Sequence, residues 1–325
     1  MIERDKAREL VFNFKDKKLL VIGDAMLDQW VWGKVSRISP EAPVPVVDVD
    51  HLSYTPGGAA NVVNNLCSLG AKVAMVSVLG DDENGKTLLK ELAGRGVKTT
   101  GIITDKDRPT TTKTRILANN QQVCRTDIEN TQPITEDTKN LICSALEREL
   151  EKADVCIVSD YNKGLLCPEV FAIIKKWRKK PGKVAVGGPK PRNIKMFSSF
   201  SLLTLNQKEA FEAIGNKNLS VEETGAALLS EYKLESLLIT RGSKGMMLFG
   251  RSGEPFSIPA LASEVFDVSG AGDTVLSVFS LALACGANMK DAMIISNLAA
   301  AVVVQKVGTA TISVSELIDV INRQQ

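Results

Sequence analysis

An α/β fold, with a mainly parallel sheet covered by helices on both faces and a small β-structure beside it, is predicted by three features of the sequence. Apolar runs of strand length alternate with helical segments for most of the 325 residues, the pattern of strands joined through helical crossovers. Two stretches, 30–49 and 99–127, break this rhythm with β-formers and no helical period. The length is enough for one large α/β unit with an appendage and for a substantial core.

The first strand is expected over 18–23. A helix over 59–69, ended by Gly70, leads to a strand over 73–79 and a helix over 83–93. Next come a helix over 136–150, a strand over 155–159, a helix over 168–179, and strands over 183–186 and 201–204. Helices over 208–214 and 221–232 precede a strand over 236–240, joined by a glycine-containing hairpin to a strand over 246–249. The last part is helical, over 270–285, 289–307 and 314–323. Residues 30–49 carry three prolines and then an alternating strand, and 99–127 is rich in threonine. Both are expected to give short strands outside the main sheet. The expected division is therefore a core of 1–29, 53–98 and 129–325 and a β-lid of 30–52 and 99–128.

Composition removes several function classes. The six cysteines are scattered without a C-x-x-C pair, which suggests neither a disulfide framework nor a thiolate zinc site and suits a reducing, cytoplasmic setting. His51 is the single histidine, so a zinc helix with two histidines is impossible. A formal charge of +2 gives no argument for a nucleic-acid partner. The basic run Lys175, Lys176, Arg178, Lys179, Lys180 and Lys183 is expected as a solvated helix end. The N-terminus has no basic patch followed by an apolar segment. The longest uncharged stretch, 274–289, is shorter than the ~18–20 residues of a membrane span, so no membrane partner is expected.

The strongest chemical signal is Asp267-Val268-Ser269-Gly270-Ala271-Gly272-Asp273-Thr274, which runs directly into an apolar helix. Glycines at a helix start let main-chain N–H groups approach an anion, and the helix dipole adds to the attraction. A carboxylate in such a turn makes sense as a general base for a hydroxyl that attacks phosphate; the alternative is that the glycines allow tight packing and Asp273 caps the helix. A second segment, Gly80-Asp81-Asp82-Glu83-Asn84-Gly85-Lys86-Thr87, satisfies the P-loop pattern. Its three consecutive acids oppose phosphate binding by bare amides, and it is expected to be an acidic strand-to-helix turn.

Further segments act in combination. Gly57-Gly58-Ala59-Ala60-Asn61-Val62 opens a helix, Asn206-Gln207-Lys208-Glu209 is an N-x-x-E spacing beyond a strand end, and Thr240-Arg241-Gly242-Ser243-Lys244-Gly245 follows a late strand. With Gly23-Asp24-Ala25-Met26-Leu27-Asp28 at the end of the first strand, the chain resembles the ribokinase-like (PfkB) carbohydrate kinases over nearly its whole length. Within them it looks most like the bacterial D-glycero-D-manno-heptose 7-phosphate kinases, on segment 36–47, on Asn120-Gln121-Gln122 with Arg125 and Asp127, and on Ser159-Asp160-Tyr161-Asn162-Lys163-Gly164. It departs from them at Gly188-Pro189-Lys190, where they carry Asp-Pro-Lys, and at Leu205, where they carry proline.

The resemblance implies a ribokinase-like three-layer α/β sandwich with a small β-sheet lid. It also implies transfer of a phosphoryl group from ATP, with Mg²⁺, to the anomeric oxygen of the heptose, giving a 1,7-bisphosphate. Asp273 would be the base, with Gly270, Ala271 and Gly272 supplying amides. Asp28, Gly57, Gly58 and Asn61 would bind sugar hydroxyls, and Asp160 belongs to the same substrate set. Cations for a substrate phosphate would come from Arg37, Arg115, Arg125, Lys163, Lys190 and Arg192. Asn206 and Glu209 would organise the Mg²⁺ hydration shell, Thr240 and Gly242 would lie along the phosphates and ribose, and Asn297 would sit near the adenine. A monovalent cation such as K⁺ near Asp267 and Ser269, and a homodimer paired through the lid, are further implications. Another sugar acceptor, or a sugar-phosphate sensor without turnover, are the rival expectations.

Overall fold

The computed structural model describes residues 2–119, 121–216, 218–251, 253–262 and 264–323; Asn120 lies outside them. The chain starts with a helix that the sequence pattern does not reveal, α1 (Arg4–Phe12), followed by β1 (Lys18–Gly23), β2 (Ala25–Ile38), β3 (Pro45–Gly58) and α2 (Ala59–Ser68). Then come β4 (Lys72–Gly80), α3 (Glu83–Gly94), β5 (Lys98–Asp105), β6 (Thr112–Ala118), β7 (Gln121–Ile128) and α4 (Glu136–Leu150). The second half contains β8 (Val155–Ser159), α5 (Pro168–Arg178), β9 (Val184–Gly188), β10 (Leu202–Asn206), α6 (Gln207–Ile214), α7 (Val221–Glu231), β11 (Ser236–Thr240) and β12 (Met246–Gly250). It closes with β13 (Phe256–Ile258), α8 (Ala271–Ala284), α9 (Met289–Val303) and α10 (Val314–Arg323).

Nine strands form the main sheet in the order β13-β12-β11-β10-β9-β8-β1-β4-β5. It is parallel except for β12 and β13, which run antiparallel to their neighbours. The central strands are apolar on both faces because both faces are covered: β8 is buried along its whole length. Apolar side chains of α2, α8 and α9 pack into one core, and those of α4, α5 and α7 into a second. The chain builds β4 and β5 on one side of β1 and then crosses to β8 on the other. The strand order thus reverses at β1/β8, and crevices at the carboxyl ends of strands beside such a reversal are where ligands bind in open α/β sheets.

A second sheet of four strands, β3-β2-β6-β7, is the small β-structure expected as a lid. Two corrections to its expected limits follow. Residues 98–105 form β5, an edge strand of the main sheet paired in parallel with β4, so the part of 99–128 before β6 is not lid. Its burial is mixed, as befits an edge, and it therefore lacks the continuous apolar run that marks the central strands. Conversely, β2 and β3 begin and end inside the expected core: Ala25 pairs with Gly58 and Asp28 with Thr55, so one continuous hairpin carries the lid into the crevice. Among the described residues, no helix is long and apolar enough to cross a membrane.

The acidic turn after β4 is filled by its own side chains. Asp82 caps α3 by accepting from the Gly85 N–H at 2.7 Å and also accepts from the Thr110 N–H at 2.8 Å, while Lys86 pairs with Glu83 at 2.7 Å. A phosphate has no room where the Asp82 carboxylate already occupies the anion position. Lys86→Ala is expected to leave the turnover that the resemblance implies within about threefold of the parent, as exposed charge changes usually do; steady-state assays of ADP release check it.

Candidate functional site

Two loops meet at the strand-order reversal, and a buried carboxylate joins them. Asp24, just after β1, accepts from the N–H groups of Tyr161 at 2.9 Å and Lys163 at 3.1 Å, just after β8. Burial pushes its pKa up, against the pull of these backbone donors. Asp24 is thus committed to holding the crevice together. Asp160, expected among the substrate ligands, is committed in the same way: it accepts from the N–H groups of Asn162 and Lys190 and from the Asn193 amide, at 2.8, 3.0 and 2.9 Å. Asp160 also lines the smaller cavity of the cleft, so these bonds hold it at the place where a substrate contact is expected.

Gly270 is the N-cap of α8 with φ +80°, a backbone state that favours glycine. A Cβ there would come within 2.9 Å of the Asn61 side-chain nitrogen. In the first turn, the amides of Gly272 and Asp273 point out of the helix with no intrahelical carbonyl to meet. The amide of Ala271 is the exception to the expected trio, since it donates to the Val268 carbonyl at 3.2 Å. Helices α2 and α8 are locked together by Thr274, which donates to Asn65 at 2.9 Å, and by Ser277, which donates to the Val62 carbonyl at 3.2 Å. That lock sets Asn61 against Asp273, its amide donating to Oδ2 at 2.8 Å.

The other carboxylate oxygen, Oδ1, accepts from the Tyr161 hydroxyl at 2.9 Å. Asp273 is pushed up to about pKa 6 by burial, with the hydrogen bonds from Asn61 and Tyr161 and the charge of Lys190 pulling it down and Asp28 pushing it further up. A carboxylate so tuned is ionised at neutral pH yet basic enough to accept a proton.

Beside Asp273 on the lid side lies Asp28, 3% exposed, whose carboxylate pairs with Arg115 of β6 at 2.6 Å. Gly57 is required by this arrangement, because a Cβ would stand 2.5 Å from Asp28 Oδ2. Gly58, at φ +56°, caps α2 and delivers Asn61. The Arg115 guanidinium also lies 4.8 Å from the centre of the Trp30 ring.

The cleft has two lobes. A 190 Å³ cavity is lined by Asp273, Gly270, Tyr161, Lys190 and Glu209, among others; Gly188 also faces it. The second, 720 Å³, is bounded by Gly242, Leu261, Val265, Val304 and Asn297. Gly272, Asn206 and Thr240 line both, so the start of α8 forms the partition. Asn297 donates to the Pro259 carbonyl at 2.9 Å and thereby holds the loop that walls the larger lobe.

Asn206 and Glu209 form a capping box on α6: the Asn206 side chain accepts from the Glu209 N–H at 2.9 Å and Glu209 returns the bond at 3.0 Å. The second Glu209 oxygen meets Lys190 at 2.7 Å. One carboxylate at the mouth of a phosphate-sized lobe fits Mg²⁺, which keeps several waters and is bound largely through phosphates. Asp267 accepts from the N–H groups of Ser269 at 2.8 Å and Gly308 at 3.0 Å, tying two loops beside the cleft.

The six candidate cations separate clearly. Arg115 and Lys190 reach the crevice. Lys163 pairs with Glu129 at 2.6 Å and Arg125, exposed on β7, pairs with Asp127 at 2.9 Å, although it stands opposite Arg115 in the lid register. Arg37 lies out on the lid hairpin, 3.8 Å from Asp48. Arg192 faces a separate depression with Gln132 and Glu136. Tyr161 is the functional side chain that sequence reasoning passed over; its place just past a central strand end was the available signal.

The profile of the pfkB family carbohydrate kinases matches residues 16–316. Among curated proteins, the chain is similar to the bifunctional protein HldE of Desulfatibacillum aliphaticivorans, 44% identical over 307 residues, covering 94% of this chain and 63% of the relative. It is likewise 44% identical over 320 residues to bifunctional protein HldE of Geobacter sulfurreducens, covering 98% of this chain and 65% of the relative. The chain thus spans less than two thirds of these relatives' length. Among solved structures it is similar to Arabidopsis thaliana ribokinase complexed with ribose and ATP, with a TM-score of 0.74, 20% identity and coverage of 95% of this chain and 99% of that one. Escherichia coli phosphofructokinase-2 in complex with potassium gives a TM-score of 0.76 at 15% identity, covering 94% and 98%.

Proposed function

The chain belongs to the pfkB family of carbohydrate kinases, and on that premise we propose that it transfers the γ-phosphoryl group of ATP to the anomeric hydroxyl of D-glycero-D-manno-heptose 7-phosphate. The observation that carries the reading is the start of α8: Asp273, with its donors Asn61 and Tyr161 and the Asp28 charge beside it, lines the smaller lobe, and Gly272 next to it lines the larger lobe as well. The choice of heptose rests on the subgroup-like segments 36–47 and 159–164, and the likeness to the HldE proteins supports it.

In this mechanism Asp28, Gly57 and Asn61 hold the sugar hydroxyls, a carboxylate and an amide offering the acceptors and donor that a polyol needs. Asp273 takes the proton of the attacking hydroxyl. The new O–P bond forms as the bond to the β-phosphate oxygen breaks, and ADP leaves with that electron pair. The first-turn amides of α8 stabilise the charge on the transferring phosphoryl. Mg²⁺, held near Asn206 and Glu209 through water, would neutralise charge on the β and γ oxygens. Thr240 and Gly242 flank the phosphates and ribose, and Asn297 borders the adenine. Arg115 and Lys190 are the cations placed to meet a substrate phosphate, Lys190 by leaving Glu209 when Mg²⁺ is bound. K⁺ beside Asp267 and Ser269, pairing of two lids in a homodimer, and a cytoplasmic location complete the proposal.

The sign of the pH dependence follows from Asp273. The base must be ionised, so kcat should be level above pH 7 and fall tenfold per unit well below the carboxyl's pKa of about 6; a pH series of initial rates checks it. The acceptor is tested by a panel of sugars and sugar phosphates, assayed by ADP release with NMR of the product. Phosphorylation at O1 of heptose 7-phosphate supports the proposal. Faster turnover of a different acceptor, or binding of the heptose without ADP formation, contradicts it.

A further inference from the structure

We propose that Tyr161 is a positioning residue for the reaction: its hydroxyl and the Asn61 amide clamp the two oxygens of Asp273, holding the carboxylate ionised and aimed at the acceptor hydroxyl. This rests on the role given to Asp273 above. The geometry is one hydrogen bond on each oxygen, 2.9 Å from Tyr161 to Oδ1 and 2.8 Å from Asn61 to Oδ2. Each oxygen retains a second lone pair, so the sugar hydroxyl can join without displacing either donor.

The phenol is itself held firmly. The Tyr161 N–H is bound to Asp24 at 2.9 Å, and the Lys190 ammonium lies 5.2 Å from the ring centre while pairing with Glu209 at 2.7 Å. Burial and the neighbouring Asp273 charge hold the phenol's pKa well above its ordinary value, so it stays a donor through the working pH range. A phenylalanine would fill the same space beneath Lys190. Among the described residues, the bond to Asp273 is the one hydrogen bond the hydroxyl makes.

Donors to a carboxylate favour its charged form, and burial favours the neutral form. The charged groups facing Asp273 are Lys190 from the end of β9, which favours ionisation, and Asp28 from β2, which opposes it. Removing the hydroxyl tips this balance towards the proton. Tyr161→Phe should therefore move the acid limb of the kcat profile up by about one pH unit. The loss would be roughly fivefold near pH 6, approach about tenfold below pH 5 and stay under about threefold at pH 8, with the KM of sugar and ATP within about twofold.

A purely structural tyrosine predicts a different result, an equal loss at every pH. The experiment is the kcat–pH profile of the full chain and of Tyr161→Phe, with Asp273→Asn alongside. An upward shift of the acid limb supports the proposal. An unmoved limb overturns it while Asp273→Asn is inactive, and an active Asp273→Asn overturns the base itself. Should the phenylalanine variant not fold, 3-fluorotyrosine replacing all three tyrosines provides the second arm. A stronger phenol donor must lower the acid limb, and no movement counts against Tyr161.

Discussion

Asp273→Asn should lower kcat by roughly 10²–10⁴-fold, the range for loss of a general base, with the KM for ATP little changed. Asparagine keeps the volume and the oxygen that accepts from Tyr161, so the α2–α8 lock through Thr274 and Asn65 should survive. What disappears is the negative charge, the proton acceptor and the second oxygen, which accepts from Asn61. The nucleotide lobe is bounded by other residues, Gly242, Val304 and Asn297 among them, so ATP should bind as before. Steady-state kinetics, with nucleotide affinity measured separately by calorimetry, check both halves. Turnover near that of the parent would remove Asp273 from the role.

Gly270→Ala should lower kcat by about 10²-fold, as loss of one oxyanion-type donor does. Two effects add at this position. The backbone sits at φ +80°, which costs a residue with a Cβ about 1–2 kcal/mol. The new methyl would also stand 2.9 Å from the Asn61 nitrogen and must push Asn61 or the turn aside. Either movement takes the first-turn amides out of line with the transferring phosphoryl and removes a donor from Asp273. Rates measured well below the melting temperature, beside a thermal melt, separate misplacement from unfolding. An alanine variant with parental kcat would mean that the turn does not hold the phosphoryl group.

Local signals carried most of the fold. The strands 18–23, 155–159 and 236–240 and the helices 136–150 and 314–323 are where the apolar pattern puts them, because a buried parallel strand and its covering helix each write their burial into the adjacent residues. The glycine turn before Asp273 was legible for the same reason, as neighbouring residues at the mouth of an apolar helix, while its two uses, anion binding and tight packing, write the same local pattern. Strand β5 was assigned to the wrong sheet because threonine and isoleucine favour any half-buried pleated surface, and only the partner strand tells which. The Asp273 clamp is a long-range fact. Tyr161 lies 112 residues away in sequence and Asn61 lies 212, so no spacing rule links them, and Asn61 entered through its resemblance to a family motif. The N-x-x-E segment shows the reverse problem, one spacing with two physical uses. In the structure it caps α6 and pairs with Lys190, and the metal-organising use is the one proposed above.

The most direct test of the partition is a crystal structure of the full chain with heptose 7-phosphate and an unreactive ATP analogue. The account predicts an Asp273 oxygen within about 3 Å of the acceptor hydroxyl, with that hydroxyl in line with the γ-phosphorus at the start of α8. An acceptor hydroxyl held out of hydrogen-bond reach of Asp273, or triphosphate bound at the Asp82 turn, would contradict it.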